Sequence, residues 1–227
     1  YLIGQTNEAK DEVRLARTMK GKSAGPIVMF KNEESIEPGS DAFGRCLPTL
    51  VVGYTSGENE TLSLPFLFSR SGYAEDVRDT ALKGDRSKNI PDNRMVLIDY
   101  GTNLEVLFAS LMLGNEDVRK NLLSHSRLGD LKSCRCSVRL AHSAVPRASK
   151  SKAAETGRKG IQLTDELEKV IDQLRRVATC WHLDENSETY TFDFYISEET
   201  RKAFASFWGT SFEFYRSLHK LALLNDL

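Results

Sequence analysis

Several features that would narrow the function at once are missing from this sequence. No apolar run approaches the roughly 20 residues that a membrane-spanning helix needs. The formal net charge is −1, so no overall field of one sign selects nucleic acid or a membrane surface. Walker loops, dinucleotide-binding glycine motifs, nucleophile elbows and H-E-x-x-H zinc motifs are also missing. The sequence therefore carries none of the common short catalytic signatures.

Cysteine is scarce, and its spacing is not that of a disulfide framework. The four cysteines stand at positions 46, 134, 136 and 180, which indicates a reducing compartment. Cys134 and Cys136, with His142 nearby, lack the second pair of ligands that closes a tetrahedral zinc site, so we predict no metal site. We also predict no other cofactor. The sequence opens at Tyr1 without an initiator methionine or a secretory leader, so we expect a piece of a longer protein.

The composition is that of a globular chain with a substantial core. Of the 227 residues, 40% are hydrophobic and 28% are charged, which suits one sizeable α/β domain or two small ones. We predict a single α/β domain over residues 1–227, with a central sheet flanked by helices. The patterns predict strands near 26–30, 49–54, 62–68, 95–99 and 189–196, and helices near 7–20, 102–113, 164–179 and 198–224, with a break near Gly209. Pro65 is expected to place the strand at 62–68 on a sheet edge.

The most informative stretch is the junction between a strand at Met95–Ile98 and the helix that follows it. The strand runs into Asp99-Tyr100-Gly101, and Thr102 with Glu105 has the pattern of a capping box that starts the helix. Ligands of α/β proteins bind outside the carboxyl ends of strands, next to helix N-termini. An ordinary buried strand followed by a well-capped helix gives the same pattern. The candidate site residues of this junction are Asp99, Tyr100, Thr102 and Asn103.

A basic stretch over residues 132–160 differs in kind from the rest of the chain. It holds eight lysines and arginines against one acid, Glu155, and it shows little apolar periodicity. We predict a loop here, because long connections of this composition are usually mobile or functional. No Phe, Tyr or Trp lies between Leu128 and Gly160, so base stacking on this segment is not expected. Its role stays open between a solvated loop, a phosphate-attracting flap over an anionic ligand, and contact with a duplex backbone.

Two segments of the chain resemble the ligand-binding domain of STING, the stimulator of interferon genes. In Ser69–Val77, Arg70 and Gly72 fall in register with a family segment that has an arginine two residues before a glycine. Val96–Ala109 is similar to the family's Val-Leu-acid-Tyr-small-Thr-Pro-Leu segment and to the Leu-Phe helix after it. Residues 1–4 also look like the start of the family's first long helix.

The resemblance implies a sensor without catalysis. Members of the family are symmetric dimers whose α/β domains form a V-shaped cleft, and a cyclic dinucleotide binds at its base. The resemblance therefore implies a homodimeric innate-immune signalling domain, on the cytosolic side of the endoplasmic reticulum membrane, that does not bind nucleic acid directly. It does not identify the downstream signalling protein. The implied ligand-binding residues are Gly4, Arg70, Arg78, Asp99, Tyr100, Thr102 and Asn103.

The chemistry of the matched residues suits such a ligand. Arg70 would present a planar guanidinium to a phosphate or a guanine edge. Thr102 would offer a hydroxyl and a neighbouring backbone N–H, and Asp99 could accept from a base amino group. A ligand on a two-fold axis would use each of these residues twice.

Two other classes of function remain open from the residues themselves. One is an α/β enzyme that acts on a nucleotide or phosphorylated substrate, with Asp99 as a base and the basic stretch as an anion clamp. The other is a protein-interaction domain that binds no small ligand.

Overall fold

The structure of the protein, a computed structural model, describes residues 2–3, 11–55, 60–83, 90, 93–126, 129–141, 161 and 163–224. The chain divides into two compact units, Tyr1–Val51 and Val52–Leu227, and each is described by itself. A single domain over residues 1–227 therefore stays a prediction. Gly4, one of the predicted site residues, lies outside the described residues.

The first unit is a four-stranded antiparallel meander with one short helix. Its strands follow one another in the order β1-β2-β3-β4. Its elements are β1 (Leu2–Ile3), β2 (Asp11–Lys20), β3 (Ser23–Lys31), β4 (Glu34–Ile36) and α1 (Asp41–Cys46). A two-residue turn joins β2 to β3, and Gly21 supplies the positive φ of 61° that such hairpin turns require. The unit's small core is formed by Val13, Met29 and Cys46, with Ile36, Phe43 and Leu47 packed against it.

The helix predicted over 7–20 is wrong, because Asp11–Lys20 is a strand. The apolar residues of this segment fit a period of two as well as a helical period. Val13 is buried, and Leu15 pairs directly with the buried Met29 of β3. The hairpin turn at Gly21 decides between the two periods, since it returns the chain alongside β2. Residues 2 and 3, matched to the start of a long helix in the STING family, also lie in a strand.

The second unit carries the remaining strands and most of the helices. One small sheet pairs β5 with β6, and an antiparallel sheet places β9 between β7 and β8. The elements are β5 (Val51–Tyr54, at the boundary), α2 (Glu60–Lys83), β6 (Met95–Ile98), α3 (Asn103–Leu113), α4 (Glu116–Ser126), β7 (Ser133–Arg139), α5 (Asp165–Val177), β8 (Cys180–Asp184), β9 (Thr189–Tyr195), α6 (Glu198–Phe207) and α7 (Ser211–Leu223).

Aromatic rings form the centre of this unit. Phe194 of β9, Phe204 of α6 and Phe214 of α7 are all at most 1% exposed. The ring of Phe204 lies 5.2 Å from that of Phe194 and 5.1 Å from that of Phe214, both in edge-on geometry. Phe108 of α3 packs edge-on against Phe214 with 5.5 Å between the ring centroids. These contacts hold α3 and α7 in fixed positions beside the β5–β6 sheet.

The strand predicted over 62–68 is also wrong, because these residues lie within the 24-residue helix α2. Pro65 stands inside this helix, where it removes one backbone donor. Contacts with the β5–β6 sheet stabilise the helix nonetheless. The ring of Phe66 lies over Gly53 of β5, and the Ser69 hydroxyl bonds Asn93 just before β6. The short apolar run in the sequence fits an edge strand as well as a packed helix, so it could not decide between the two.

The loop predicted over residues 132–160 needs a correction at its start. Residues 133–139 form β7, which pairs along its length with β9. Cys134, Cys136 and Val138 alternate with the exposed Arg135, Ser137 and Arg139, so the basic side chains here lie on the outer face of a sheet. Residues 142–160 lie outside the described part of the chain.

The remaining predictions are largely confirmed. The α/β class holds, although the described strands lie in small sheets of four, two and three strands and do not form one central sheet. The strands near 26–30, 49–54, 95–99 and 189–196 and the helices near 102–113 and 164–179 are present, and the segment 198–224 is two helices separated at residues 208–210. No helix in the described part of the chain has the length and apolar character needed to cross a membrane.

We predict that Gly53→Ala destabilises the second unit. A Cβ at Gly53 would lie 2.6 Å from Cζ of Phe66, so the ring or the strand must shift. The expected cost is about 1 kcal/mol, the low end for overpacking, because the end of a ring can move. Urea unfolding measures it. Gly72→Ala is the matched control: its Cβ meets nothing within 4 Å on α2, and it should stabilise by about 0.5–1 kcal/mol. Equal effects of the two substitutions would contradict this packing.

Candidate functional site

The predicted junction between β6 and α3 lies at one edge of the β5–β6 sheet. The backbone N–H of Thr55, the residue after β5, donates to the carbonyl of Ile98 at the end of β6, with N and O 3.1 Å apart. The carboxyl ends of both strands therefore lie side by side. Helix α3 begins at Asn103, five residues after Ile98. We call this region, formed by Tyr54, Asp99, Tyr100, Asn103 and Leu104, the carboxyl-end edge.

Asp99 organises the turn between the strand and the helix. Its Oδ1 accepts from the backbone N–H of Gly101 at 2.9 Å and from that of Thr102 at 3.1 Å. Because one oxygen of the Asp99 carboxylate accepts from two backbone donors, the side chain has a structural role in the turn. The other oxygen, Oδ2, has none of these bonds.

Thr102 completes the turn from inside. Its hydroxyl accepts from the Asp99 backbone N–H at 2.9 Å and lies 3.1 Å from the carbonyl oxygen of Leu97, to which it donates. The residue is only 3% exposed. The hydroxyl makes no capping bond to α3, so the predicted capping box is wrong. Thr102 joins strand to helix and presents little surface to solvent.

Glu105 occupies an unusual position for a carboxylate. One of its oxygens, Oε2, is buried and has no hydrogen-bond partner among the residues that the structure describes. Burial raises the pKa of this carboxyl, and the positive charge of Arg70 opposes that rise in part, whereas the negative charge of Asp99 adds to it. The residue predicted to close a capping box is instead a desolvated acid.

Two further side chains belong to the same electrostatic neighbourhood. Burial raises the pKa of Tyr215 in α7, and the negative charges of Glu105 and Asp99 raise it further. Its hydroxyl is buried without a hydrogen-bond partner in the described part of the chain. Burial raises the pKa of Cys136 in β7 to about 11, with Glu105 again adding to the shift. We call Arg70, Asp99, Glu105, Cys136 and Tyr215 the buried polar cluster.

Of this cluster, the strand–helix pattern predicted Asp99 as a site residue, and the resemblance to the STING family implied Arg70. The structure brings them into one electrostatic neighbourhood although 28 residues separate them in the sequence. Cys136 and Tyr215 lie on distant elements, and each fits the apolar pattern of its own element, so no local signal distinguished them. Glu105 stood in the motif but was assigned to capping. The sequence alone does not distinguish a glutamate that caps a helix from one that is desolvated.

The other predicted residues differ in exposure. Tyr100 is 71% exposed, and Asn103 is exposed beside it. Arg70 and Asp99 are half-buried. Arg78 lies in α2, but its side chain is not among those that the structure describes. The exposed pair therefore forms the surface of the junction, whereas Arg70 is a half-buried residue of α2.

The carboxyl-end edge also carries exposed apolar surface. Tyr54 is 73% exposed and Leu104 is 75% exposed, which with Tyr100 places three large side chains in water. Scattered exposed apolar residues are ordinary, but Tyr54 ends β5, Tyr100 lies in the turn after β6, and Leu104 lies in the first turn of α3. Aromatic side chains at such an edge provide flat surfaces on which a ring can stack.

The groups of this region have the chemistry to bind an anion and a flat ring. A guanidinium, a helix N-terminus and exposed tyrosines can attract an anion and a flat ring. No group of three or more His, Cys, Asp or Glu side chains within the described ranges is arranged to hold a metal ion. Comparisons with protein-family models, with curated proteins and with solved structures found no match to this chain.

We predict that Thr102→Val destabilises the protein although valine has nearly the same shape. The change leaves the part-buried N–H of Asp99 without its acceptor, which costs about 1 kcal/mol, the low end for an unsatisfied donor. Urea unfolding of the variant measures this loss. Thr102→Ser keeps the hydroxyl and should be closer to the parent. Equal stability of the valine variant and the parent would show that the hydroxyl does not hold the junction.

Glu105 generates a prediction on pH. Because its pKa is raised in the folded state, the fold favours the protonated carboxyl, and that stabilising contribution is lost as the pH rises above about 4.3, the ordinary value for glutamate. Glu105→Gln mimics the protonated form. Its stability relative to the parent should therefore improve between pH 4 and pH 7, as measured by urea unfolding at several pH values.

A glutamate with the opposite shift supplies the control. Lys120 lowers the pKa of Glu116 in α4 through a hydrogen bond. Glu116→Gln should therefore lose stability relative to the parent over the same pH range, by a small amount because the pair is exposed. The same trend with pH for both variants would contradict the burial of Glu105.

Proposed function

We propose that this chain is a non-catalytic signalling domain that binds a cyclic dinucleotide, with a STING-like ligand-binding domain that acts as a homodimer. The ligand would bind at the carboxyl-end edge. Each half of a two-fold ligand would contact one protomer, so a few residues would be used twice. Downstream signalling would follow from ligand binding to the dimer.

One observation supports this proposal above the others. Arg70 and Asp99, which belong to the two segments that resemble the family, share one electrostatic neighbourhood with Glu105. The packing of α2 against β6 brings these two residues together, and a ligand at the end of β6 would meet both. The half-buried Arg70 provides a charge that is screened less than a surface charge, which suits recognition of a phosphodiester.

The exposed tyrosines supply the other half of the ligand chemistry. A cyclic dinucleotide has two flat bases and two phosphodiesters, so it needs stacking surface as well as positive charge. Tyr54 and Tyr100 offer exposed rings at adjacent strand ends. Backbone N–H groups at the start of α3 add partial positive charge. The basic residues of the segment 132–160 would attract the anionic ligand from a distance.

The enzymatic alternative has less support from the geometry. Oδ1 of Asp99 is engaged by the N–H groups of Gly101 and Thr102, which leaves only Oδ2 for taking a proton from a substrate. An Asp99 held by its own turn suits positioning of the junction better than proton abstraction.

The experiment is calorimetric titration with cyclic di-GMP, cyclic di-AMP and cyclic GMP–AMP. We predict micromolar or tighter binding of one of them by the parent protein. Arg70→Ala should cost about 1.5–3 kcal/mol, roughly 10- to 150-fold in Kd, as for loss of a charged hydrogen bond. Arg70→Lys should recover part of this loss, because the charge remains and the planar fork does not.

Arg176→Ala is the matched control, since it removes an arginine on α5 that pairs with Asp172. Its affinity should equal that of the parent. Circular dichroism on each variant separates loss of binding from loss of fold. Failure of the parent to bind all three ligands would reject the proposal, and an unchanged Kd for Arg70→Ala would remove Arg70 from the site.

A further inference from the structure

The hairpin of β2 and β3 extends beyond the core of the first unit. Val13 and Met29 belong to that core and lie at the base of the hairpin. In the described part of the chain, β1 pairs with β2 only before Val13, and β4 pairs with β3 only from Met29 onward. Among the described residues, 15–28 therefore form a two-stranded ribbon, which we call the hairpin arm. From Leu15 to Lys20 it extends about 17 Å, the length of five residues of strand.

One face of the hairpin arm carries exposed apolar side chains. Leu15, Arg17 and Met19 alternate along β2 and so share a face, and Ile27 lies directly opposite Arg17 on β3. The register shift beyond Arg17 has its extra residue on β3, so β2 keeps its alternation. Leu15 is 49% exposed, Met19 is 59% exposed and Ile27 is 49% exposed. We call these four residues the arm face. Because a two-stranded ribbon is only marginally stable by itself, such a face indicates a surface that another molecule covers.

The hairpin arm carries charge of one sign. Residues 14–30 contain no aspartate or glutamate, and their basic residues are Arg14, Arg17, Lys20 and Lys22. Arg14, at the base, pairs with Glu33, with 3.1 Å between Nη2 and Oε2. The three cations nearer the turn have no acidic residue in the ribbon to balance them. The outer part of the hairpin arm is therefore complementary to a polyanion.

Arg17 is held in place within the arm face. Its Nε donates to the carbonyl oxygen of Gly25 across the ribbon, with N and O 2.8 Å apart. The two Nη groups have no hydrogen bond or ion pair with the residues that the structure describes. A guanidinium fixed through one nitrogen can present the other two to a phosphate.

This charge argues against a second copy of the chain as the partner. Two hairpin arms that paired with each other would bring cations of the same sign together, and like charges on facing strands are destabilising. No acidic residue of the ribbon could relieve that repulsion. An anionic partner gains from the same charges.

The aliphatic side chains favour a lipid surface over a nucleic acid. Proteins contact nucleic acids mostly through hydrogen bonds to phosphate and sugar, which Leu15, Met19 and Ile27 cannot make. The arm face also has no aromatic ring for base stacking. An anionic bilayer takes up aliphatic side chains at the boundary between headgroups and acyl chains, while its headgroups attract lysine and arginine. The arm face with its neighbouring cations offers both kinds of contact.

We infer that the hairpin arm docks on an anionic lipid surface. Leu15, Met19 and Ile27 would enter the boundary between headgroups and acyl chains, and Arg17 and Lys22 would contact headgroup phosphates. This inference is independent of the proposed cyclic dinucleotide, because the carboxyl-end edge lies in the second unit. Failure of the parent protein to bind a cyclic dinucleotide leaves it unaffected.

Co-sedimentation with sucrose-loaded vesicles tests the docking. The parent chain should bind phosphatidylcholine vesicles that contain about 25% phosphatidylserine, bind pure phosphatidylcholine far more weakly, and dissociate as the salt concentration rises. Lys22→Gln should weaken binding to the anionic vesicles about 5-fold, because it removes one cation from the surface. Lys202→Gln, on the exposed side of α6, is the matched control and should bind as the parent does.

A second pair of variants tests the apolar contact. Leu15→Ser should weaken binding about 4- to 12-fold, because roughly half of an aliphatic side chain no longer enters the bilayer. Leu64→Ser is the matched control: Leu64 is 50% exposed on α2 in the second unit, and its loss should leave binding intact. Equal losses for the two variants would overturn the role of the arm face. If Leu15→Ser does not fold, Met19→Ser, farther from the core, takes its place.

The other possible occupants give different outcomes. Absence of binding to the anionic vesicles by the parent chain would overturn the proposal. Binding of a DNA duplex in its place would identify a nucleic acid as the partner. A dimer in sedimentation velocity that Leu15→Ser dissociates, without vesicle binding, would identify a second copy of the chain.

Discussion

The hydroxyl of Thr102 is the constraint on which the rest of the second unit's site depends. It accepts from the backbone of Asp99 and donates toward the carbonyl of Leu97, so it joins the last residues of β6 to the first turn of α3. Once this junction is held, Tyr100 projects into solvent and Glu105 enters the interior. A single buried hydroxyl thus positions an exposed surface and a half-buried acid.

The buried polar cluster works against stability. Oε2 of Glu105 and the hydroxyl of Tyr215 are buried without a hydrogen-bond partner among the described residues, which costs free energy that an apolar pair of similar volume would avoid. The aromatic contacts among Phe108, Phe204 and Phe214 supply the packing that tolerates this cost. Ionisable groups that are buried at a cost in stability are common at functional sites. The proposed function draws on this physical reasoning and on the resemblance of the two segments that hold Arg70 and Asp99.

The sequence predicted the elements whose periodicity has one interpretation. The alternating aromatic residues around Phe192 gave β9, and the amphipathic pattern from Leu167 to Val177 gave α5. The prediction failed where the apolar residues fit both the helical period and the strand period. Val13 and its neighbours form a strand, and the run around Pro65 lies in a helix. The junction at Asp99 was found because strand, turn and helix follow one another within a few residues. Cys136 and Tyr215 were missed because only the fold brings them to Glu105.

Hydrogen–deuterium exchange with and without a bound cyclic dinucleotide tests the central claim most directly. The account predicts that the ligand slows exchange at the amides from Ile98 to Glu105 and in the turn of α2 around Arg70. Exchange in β8, which pairs with β9, should stay unchanged and serves as the internal control. Protection restricted to other elements, or no change at Asp99 and Arg70 under saturating ligand, would contradict a ligand site at this junction.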